Sequence, residues 1–262
     1  MELDRVVIAV PARIASSRLP NKVLADIEGE AMIKRVLKQC LKTKLTDEIF
    51  LCTDNILIEK EGLEVDIKVI KTKTSCKSGS ERISSVLDKL IIKGVSLENT
   101  LIINVQGDQP FLDPKIIDKL SQIFRKSVNK PEVITPIYKM SRNNINNPNV
   151  VKTIVDVEGK VLYFSRSPIP YLRGVQEKDW SEHFDYWGHV GIYGFRGDIL
   201  SRWNDLPESK LENAEKLEQL RLLEAGISIH TFQVEEESLS VDTMDQLKIA
   251  REIAKKKKKK KK

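Results

Sequence analysis

The chain has 262 residues, 40% hydrophobic and 31% charged, which is enough sequence for one large globular core or two small ones. No apolar run approaches the ~20 residues that cross a bilayer, and the first residues enter a strand with no secretory leader pattern. Stable membrane insertion is therefore excluded and a cytoplasmic location expected. The formal charge of +6 is a property of the chain's end: residues 255–262 are eight consecutive lysines, and without them 36 basic residues face 38 acidic ones, a net −2.

The sequence of the body shows no basic patch for nucleic acid. The lysine tail reads either as a disordered, solvated end or as a basic segment for an acidic partner. The expected organisation is one α/β domain over residues 1–254, followed by a disordered tail at 255–262. Cys40, Cys52 and Cys76 are odd in number and fit no zinc spacing, so they are expected to be free thiols.

Residues 6–10, Val-Val-Ile-Ala-Val, form a continuous apolar run, the pattern of a central parallel strand. The loop after it, residues 11–22, holds Arg13, Arg18 and Lys22 but no glycine. It is neither a Walker A loop nor a dinucleotide fingerprint. Its cations suit a triphosphate, and a solvated loop is the alternative. Residues 32–41 have helical periodicity; residues 49–54 and 65–70 read as further strands, giving the β-α-β pattern of a doubly wound α/β sheet. Ser78-Gly79-Ser80-Glu81-Arg82 offers an N-cap for a helix to about residue 92 and, beside Arg82, a place for an anion or a base edge.

Residues 101–105, Leu-Ile-Ile-Asn-Val, read as a second buried strand, followed by Gln106-Gly107-Asp108-Gln109-Pro110. Gly107 is expected to let the backbone turn. Asp108 then leaves the sheet where a carboxylate can hold a metal beside a phosphate, or merely close an Asx-type turn. Pro114 opens a helix capped by Asp113. The Asn-rich residues 143–149 mark a smaller lobe, placed at about residues 143–196, with a hairpin over 150–164 turning at Glu158-Gly159. Arg166, held between serines and before two prolines, suits an anion. Residues 172–188 read as a surface loop or lid. In the strand at 189–196, His189, Gly191, Tyr193 and Phe195 share one face, either as a pocket floor or as core. A helix over 211–225 ends at Gly226 and places Glu215, Glu218 and Gln219 on one side. Thr243 and Gln246 have capping-box spacing, which leaves Asp242 free to share a cation with Asp108.

These segments resemble, in order, the 3-deoxy-manno-octulosonate cytidylyltransferases. The matching stretches are Pro11-Ala12-Arg13 with Ser17-Arg18-Leu19-Pro20-x-Lys22, Ser78-Gly79-Ser80-Glu81-Arg82, Asn104-Val105-Gln106-Gly107-Asp108, Pro148-Asn149-Val150-Val151-Lys152, Tyr163-Phe164-Ser165-Arg166, His189-Val190-Gly191-Ile192-Tyr193, Leu217-Glu218-Gln219-Leu220-Arg221 and Val241-Asp242-Thr243. The resemblance implies a glycosyltransferase-A-like nucleotide-diphospho-sugar transferase fold, mainly parallel, with a smaller lobe that forms a homodimer. It implies CMP transfer from CTP to the anomeric hydroxyl of 3-deoxy-manno-octulosonate (Kdo), or of a related acidic keto-sugar such as an amino-Kdo, for lipopolysaccharide or capsule assembly. By the same resemblance Asp108 and Asp242 hold Mg2+, and Arg13 and Lys22 bind the triphosphate. Ala12, Ser78, Gly79, Arg82 and Gln106 contact the nucleotide, and Arg166, His189, Tyr193, Glu218 and Gln219 the sugar. The chain departs from the family's usual pattern at Asn21 (usually Gly), Cys76 (usually His) and Gln109 (usually Glu).

Overall fold

The computed structural model describes residues 4–16, 18–235 and 239–259. Ten strands form one sheet: β1 Arg5–Ala12, β2 Glu48–Thr53, β3 Lys68–Lys71, β4 Thr100–Val105, β5 Val133–Lys139, β6 Lys152–Val155, β7 Val161–Ser165, β8 Trp187–His189, β9 Ile192–Arg196 and β10 Ile229–Val234. Their order is β3-β2-β1-β4-β9-β5-β8-β6-β7, with β10 paired to β5. Strands β1 to β6 and β10 all point one way, and β7, β8 and β9 run against them.

Every residue of β1 and of β4 is buried, as their unbroken apolar runs require of strands covered on both faces. Period two divides their side chains. Val6, Ile8, Val10, Leu101 and Ile103 join one core with the helices Met32–Cys40 and Pro114–Lys126. Val7, Ala9 and Ile102 join the other, with Ile83, Leu200 and Leu222 from helices on the opposite face. Each such aliphatic side chain contributes about 1.5–3 kcal/mol by leaving water. Asp113 caps Pro114–Lys126 by accepting from Lys115 N at 3.0 Å.

Four expectations need correction. The helix expected to run to residue 92 breaks into Gly79–Ser84 and Leu87–Leu90 at Val86. The helix expected over 211–225 breaks into Lys210–Glu215 and Leu220–Glu224 because Lys216 adopts φ 55°. That break lets Leu217 enter the core while the Glu215 carboxylate accepts from Ser165 Oγ and Arg166 N at 2.7 and 2.9 Å. Residues 172–188 are no open lid: Trp180 and Tyr186 are buried and stacked, with Tyr186 Oη donating to Pro170 O at 2.6 Å. The strand expected at 189–196 breaks at Val190-Gly191, and β9 wedges between β4 and β5. Residues 143–196 therefore continue the main sheet rather than forming a sheet of their own.

The tail also departs from expectation. The last helix runs from Met244 to Lys259, so residues 255–259 are helical, and 260–262 lie outside the described residues. Lysine is a good helix former, and cations at a helix C-terminus complement its dipole. Buried Leu247, Ala250 and Ala254 anchor this helix against Leu19 and Met32, and Lys257 lies over the Phe111 ring at 5.0 Å.

Candidate active site

The connections from β1 to β2 and β3 run to one side of β1, and β4 returns on the other. The crevice at the C-terminal ends of β1 and β4 is thus a topological switch point, where doubly wound sheets bind ligands. Ala12-Arg13 leaves β1 and Gln106-Gly107-Asp108 leaves β4 at this place. Gly107 is needed for closeness rather than for an unusual turn: a Cβ there would stand 3.2 Å from Ile33 Cδ1 and 3.5 Å from Pro11 O. Gly79 is similar, with Pro11 Cγ at 3.1 Å and Gln106 Nε2 at 3.4 Å.

The crevice brings Asp108 and Asp242 together. The Lys22 ammonium donates to Asp108 Oδ2 at 2.5 Å and to Asp242 Oδ1 at 2.8 Å. Burial pulls the Lys22 pKa down, but the two carboxylates outweigh it and hold it above the ordinary lysine value. The acid-bearing segments are tied through their backbones, with Val241 N donating to Asp108 O at 2.9 Å. The capping box forms as its spacing requires: Gln246 Oε1 accepts from Asp242 N and Thr243 N at 2.8 and 3.0 Å, and Thr243 Oγ1 accepts from Gln246 N at 3.3 Å. The Asp242 carboxylate is thereby left to Lys22 and to Arg18, whose Nη2 is 3.0 Å away.

On one side of Asp108 lies a cleft of about 240 Å³, lined by Ala12, Arg13, Lys22, Ser78, Arg82 and Gln106 among others. Arg13 Nη1 donates to Lys77 O at 3.2 Å. Arg82 is buried, with its guanidinium on Asp54 Oδ2 at 3.0 Å and on Thr72. Beneath the cleft runs a polar relay absent from the sequence expectations. Gln106 Nε2 donates to Asn104 Oδ1 at 3.1 Å, Asn104 Nδ2 to Ser80 Oγ at 3.2 Å, and Ser80 Oγ to Glu218 Oε1 at 2.9 Å. A polar residue inside the apolar run of β4 was the signal for Asn104. Asp54, at the end of β2, is the other missed contributor, through Arg82.

On the other side of Asp108 is a pocket of about 190 Å³, lined by Gln106, Asp108, Gln109, Asn149, His189 and Gly191 among others. The His189 ring meets Phe164 and Tyr193 at 5.0 and 5.2 Å. Thr135 Oγ1 donates to Ile192 O at 2.7 Å and lies 2.9 Å from His189 Nε2. With the hydroxyl proton so used, Nε2 carries the imidazole proton and Nδ1 is an acceptor. Burial lowers the His189 pKa to about 3, so the ring is neutral at pH 7.

Tyr193 and Gln219 are buried. Burial, and after it the Glu218 charge, pushes the Tyr193 phenol well up. Burial likewise raises the Glu218 pKa, against the Ser78 and Ser80 hydroxyls, which favour its charged form. Arg166 does not join this group. Its guanidinium donates to three backbone carbonyls, Glu215 O at 2.7 Å, Pro148 O at 2.9 Å and Lys216 O at 3.5 Å, and so ties the hairpin to the broken helix instead of waiting for an anion.

The departures have local explanations. Asn21 stands at φ 52°, a left-handed conformation that Asn tolerates better than most residues other than Gly. Cys76 is buried, its Sγ 3.8 Å from Ser85 Oγ.

Comparison with known proteins identifies the family. A cytidylyltransferase family profile matches residues 7–229. The 3-deoxy-manno-octulosonate cytidylyltransferase of Porphyromonas gingivalis is 37% identical over 251 residues, 94% of each chain. The protein of that name from Cytophaga hutchinsonii is 40% identical over 243 residues, 92% of this chain and 94% of its own. A solved CMP:2-keto-3-deoxy-manno-octonic acid synthetase complexed with CTP superposes with a TM-score of 0.86 at 37% identity, covering 97% of this chain and 99% of its own. The fold is thus the expected nucleotidyltransferase α/β fold, and the chain belongs to the 3-deoxy-manno-octulosonate cytidylyltransferase family.

Proposed function

We propose that the protein transfers CMP from CTP to the anomeric hydroxyl of Kdo, giving CMP-Kdo and pyrophosphate. The observation that carries this reading is the convergence of Asp108 and Asp242 on the one Lys22 ammonium. Two carboxylates facing one cation fit Mg2+, which takes one or two protein carboxylates and completes its shell with water and substrate phosphate. A larger protein cage is not found: no cluster of three or more His, Cys, Asp or Glu occurs among the described residues. When bound, Mg2+ supplies Lewis-acid stabilisation of charge on the triphosphate and acidifies the attacking hydroxyl.

The anomeric oxygen attacks the α-phosphorus in line and its proton passes to solvent; its bond to phosphorus forms as the bond from the α-phosphorus to the α–β bridging oxygen breaks, and pyrophosphate leaves with that electron pair. Little covalent work falls to the protein, so positioning and charge dominate. Arg13, Arg18 and Lys22 neutralise the phosphates. Ser78, Arg82 and Gln106 seat the nucleoside, with Asn104 and Ser80 holding Gln106 in place. His189 offers Nδ1 to a sugar hydroxyl, and Tyr193, Glu218 and Gln219 form the polar wall behind it. The reading includes a homodimer working in the cytoplasm, as the resemblance implies. No helix among the described residues is long and apolar enough to cross a membrane.

A pyrophosphate-release assay with CTP, UTP, GTP and ATP, each with and without Kdo and Mg2+, tests the reading. Release is expected only with CTP, Kdo and the metal together; release without Kdo, or equally from every nucleotide, overturns it.

A further inference from the structure

The side chain immediately after the catalytic-site acid Asp108 is one that the proposed chemistry does not use. Gln109 is only 3% exposed, and its Oε1 is buried with no hydrogen-bond partner among the described residues. Its amide faces the pocket shared by Asp108, Asn149, His189 and Gly191. Gly191 borders the amide: a Cβ there would stand in ordinary contact with Gln109 Nε2, at 3.6 Å. A buried amide oxygen without a partner is costly to keep, and rotation about the last side-chain bond is soft enough to present either end of the amide to the pocket.

From this arrangement we infer that Gln109 is a specificity-determining residue for the acceptor, its amide reading a hydroxyl on the polyol chain of the sugar acid. The inference rests on the proposed transferase reading and adds to it which protein group inspects the acceptor. An amide suits the task here. It offers a donor and an acceptor at one point, whereas the Glu usual in the family offers only acceptors when ionised. A site built to hydrogen-bond a hydroxyl also rejects analogues that lack it, because its polar group is then left unpaired. The nucleotide cleft lies on the other side of Asp108 and does not include Gln109, so the effect belongs to the acceptor and not to CTP.

The test compares the full-length wild-type protein with Gln109→Leu and Gln109→Glu. Gln109→Leu removes the amide at nearly constant volume. It is expected to raise KM for Kdo about tenfold or more, leave KM for CTP within twofold, and leave the melting temperature of the substrate-free protein unchanged or higher, since no protein partner is lost. Gln109→Glu, which keeps the size and restores the residue usual in the family, still offers an acceptor to the sugar hydroxyl and is expected to leave KM for Kdo close to that of the wild type. An unchanged KM for Kdo in Gln109→Leu overturns the inference. A fall in melting temperature with both KM values rising together shows a structural role and also overturns it. If Gln109→Leu does not fold, Gln109→Met, which keeps the unbranched shape without the amide, decides by the same split. A wild-type protein inactive with CTP and Kdo is a separate outcome: it overturns the transferase reading and the inference with it.

Discussion

Asp108 and Asp242 accept hydrogen bonds from a single ammonium, that of Lys22, at 2.5 and 2.8 Å. The geometry is imposed by the fold around it: the β4 exit carries Asp108, the capping box fixes the backbone of Asp242, and the bond from Val241 N to Asp108 O joins the two segments. If the pair serves phosphoryl transfer, Asp108→Asn keeps the shape and removes the charge. Turnover at saturating CTP, Kdo and Mg2+ should fall about 100-fold or more, with the melting temperature nearly unchanged because Lys22 retains Asp242. Near-normal turnover in the variant would remove the role assigned to Asp108.

Lys22 also acts as counter-cation to the pair in the metal-free protein. Lys22→Met leaves two carboxylates facing one another, with exposed Arg18 the remaining cation paired to them among the described residues. The group is partly buried, so the loss should lie between that of an exposed and a buried ion pair, about 1–3 kcal/mol. Added Mg2+ should then raise the melting temperature of the variant more than that of the wild type. Calorimetry with and without Mg2+ reads the difference, and equal shifts in the two proteins would rule out the counter-cation role.

Much of this crevice was legible because it rests on local signals. The apolar runs at 6–10 and 101–105 gave the two central strands, and the Thr243–Gln246 spacing gave the cap beside Asp242. The rest depends on contacts distant along the chain. The break at Lys216 is set by Glu215 reaching Ser165 and Arg166, 50 and 49 positions away; helical periodicity carries no trace of it. Arg166 looked free for an anion because the carbonyls it serves belong to other segments. The wedge of β9 between β4 and β5 is likewise a tertiary choice, since an apolar strand does not record its neighbours. Asn104 left a trace in β4, but its link to Glu218 passes through Ser80, 138 positions from that glutamate.

Asn21 connects a sequence departure to a backbone angle. Its φ of 52° precedes the turn Lys22–Leu24 that aims Lys22 at the acids. Asn21→Gly should leave stability and turnover close to wild type. Asn21→Val puts a β-branched residue in the left-handed region, at a cost of about 1–2 kcal/mol. It should lower the melting temperature and, by displacing Lys22, raise KM for CTP. A Val variant identical to wild type in both measurements would remove the conformational argument.

His189 predicts an acid limb in stability. Its folded pKa is lowered to about 3 by burial, against an unfolded value near 6.5. Between those values the unfolded chain binds a proton that the folded chain refuses. The contribution is therefore present above pH 6.5 and is lost as pH falls towards 3. The slope from this one group is at most about 1.4 kcal/mol per pH unit. Urea unfolding between pH 7 and pH 4 should show a shallower decline for His189→Phe than for the wild type; parallel declines would mean that the ring titrates normally in the folded protein.

The relay through Asn104 gives the most demanding stability test. Asn104 is fully buried; its Oδ1 accepts from Gln106 and its Nδ2 donates to Ser80, whose hydroxyl serves Glu218. Asn104→Leu has nearly the same volume but strands groups on both sides. Each buried polar group left unpaired costs about 1–3 kcal/mol. Two such losses should lower the melting temperature by about 4–24 °C, at about 2–4 °C per kcal/mol for a chain of this size. Gln106 would also lose the partner that orients it in the cleft, so KM for CTP should rise in protein that remains folded. Asn104→Asp keeps the acceptor for Gln106 but loses the donor to Ser80 and adds charge beside Glu218, so it should destabilise while perturbing CTP less. If Asn104→Leu melts with the wild type and binds CTP equally well, the relay contributes neither stability nor nucleotide affinity.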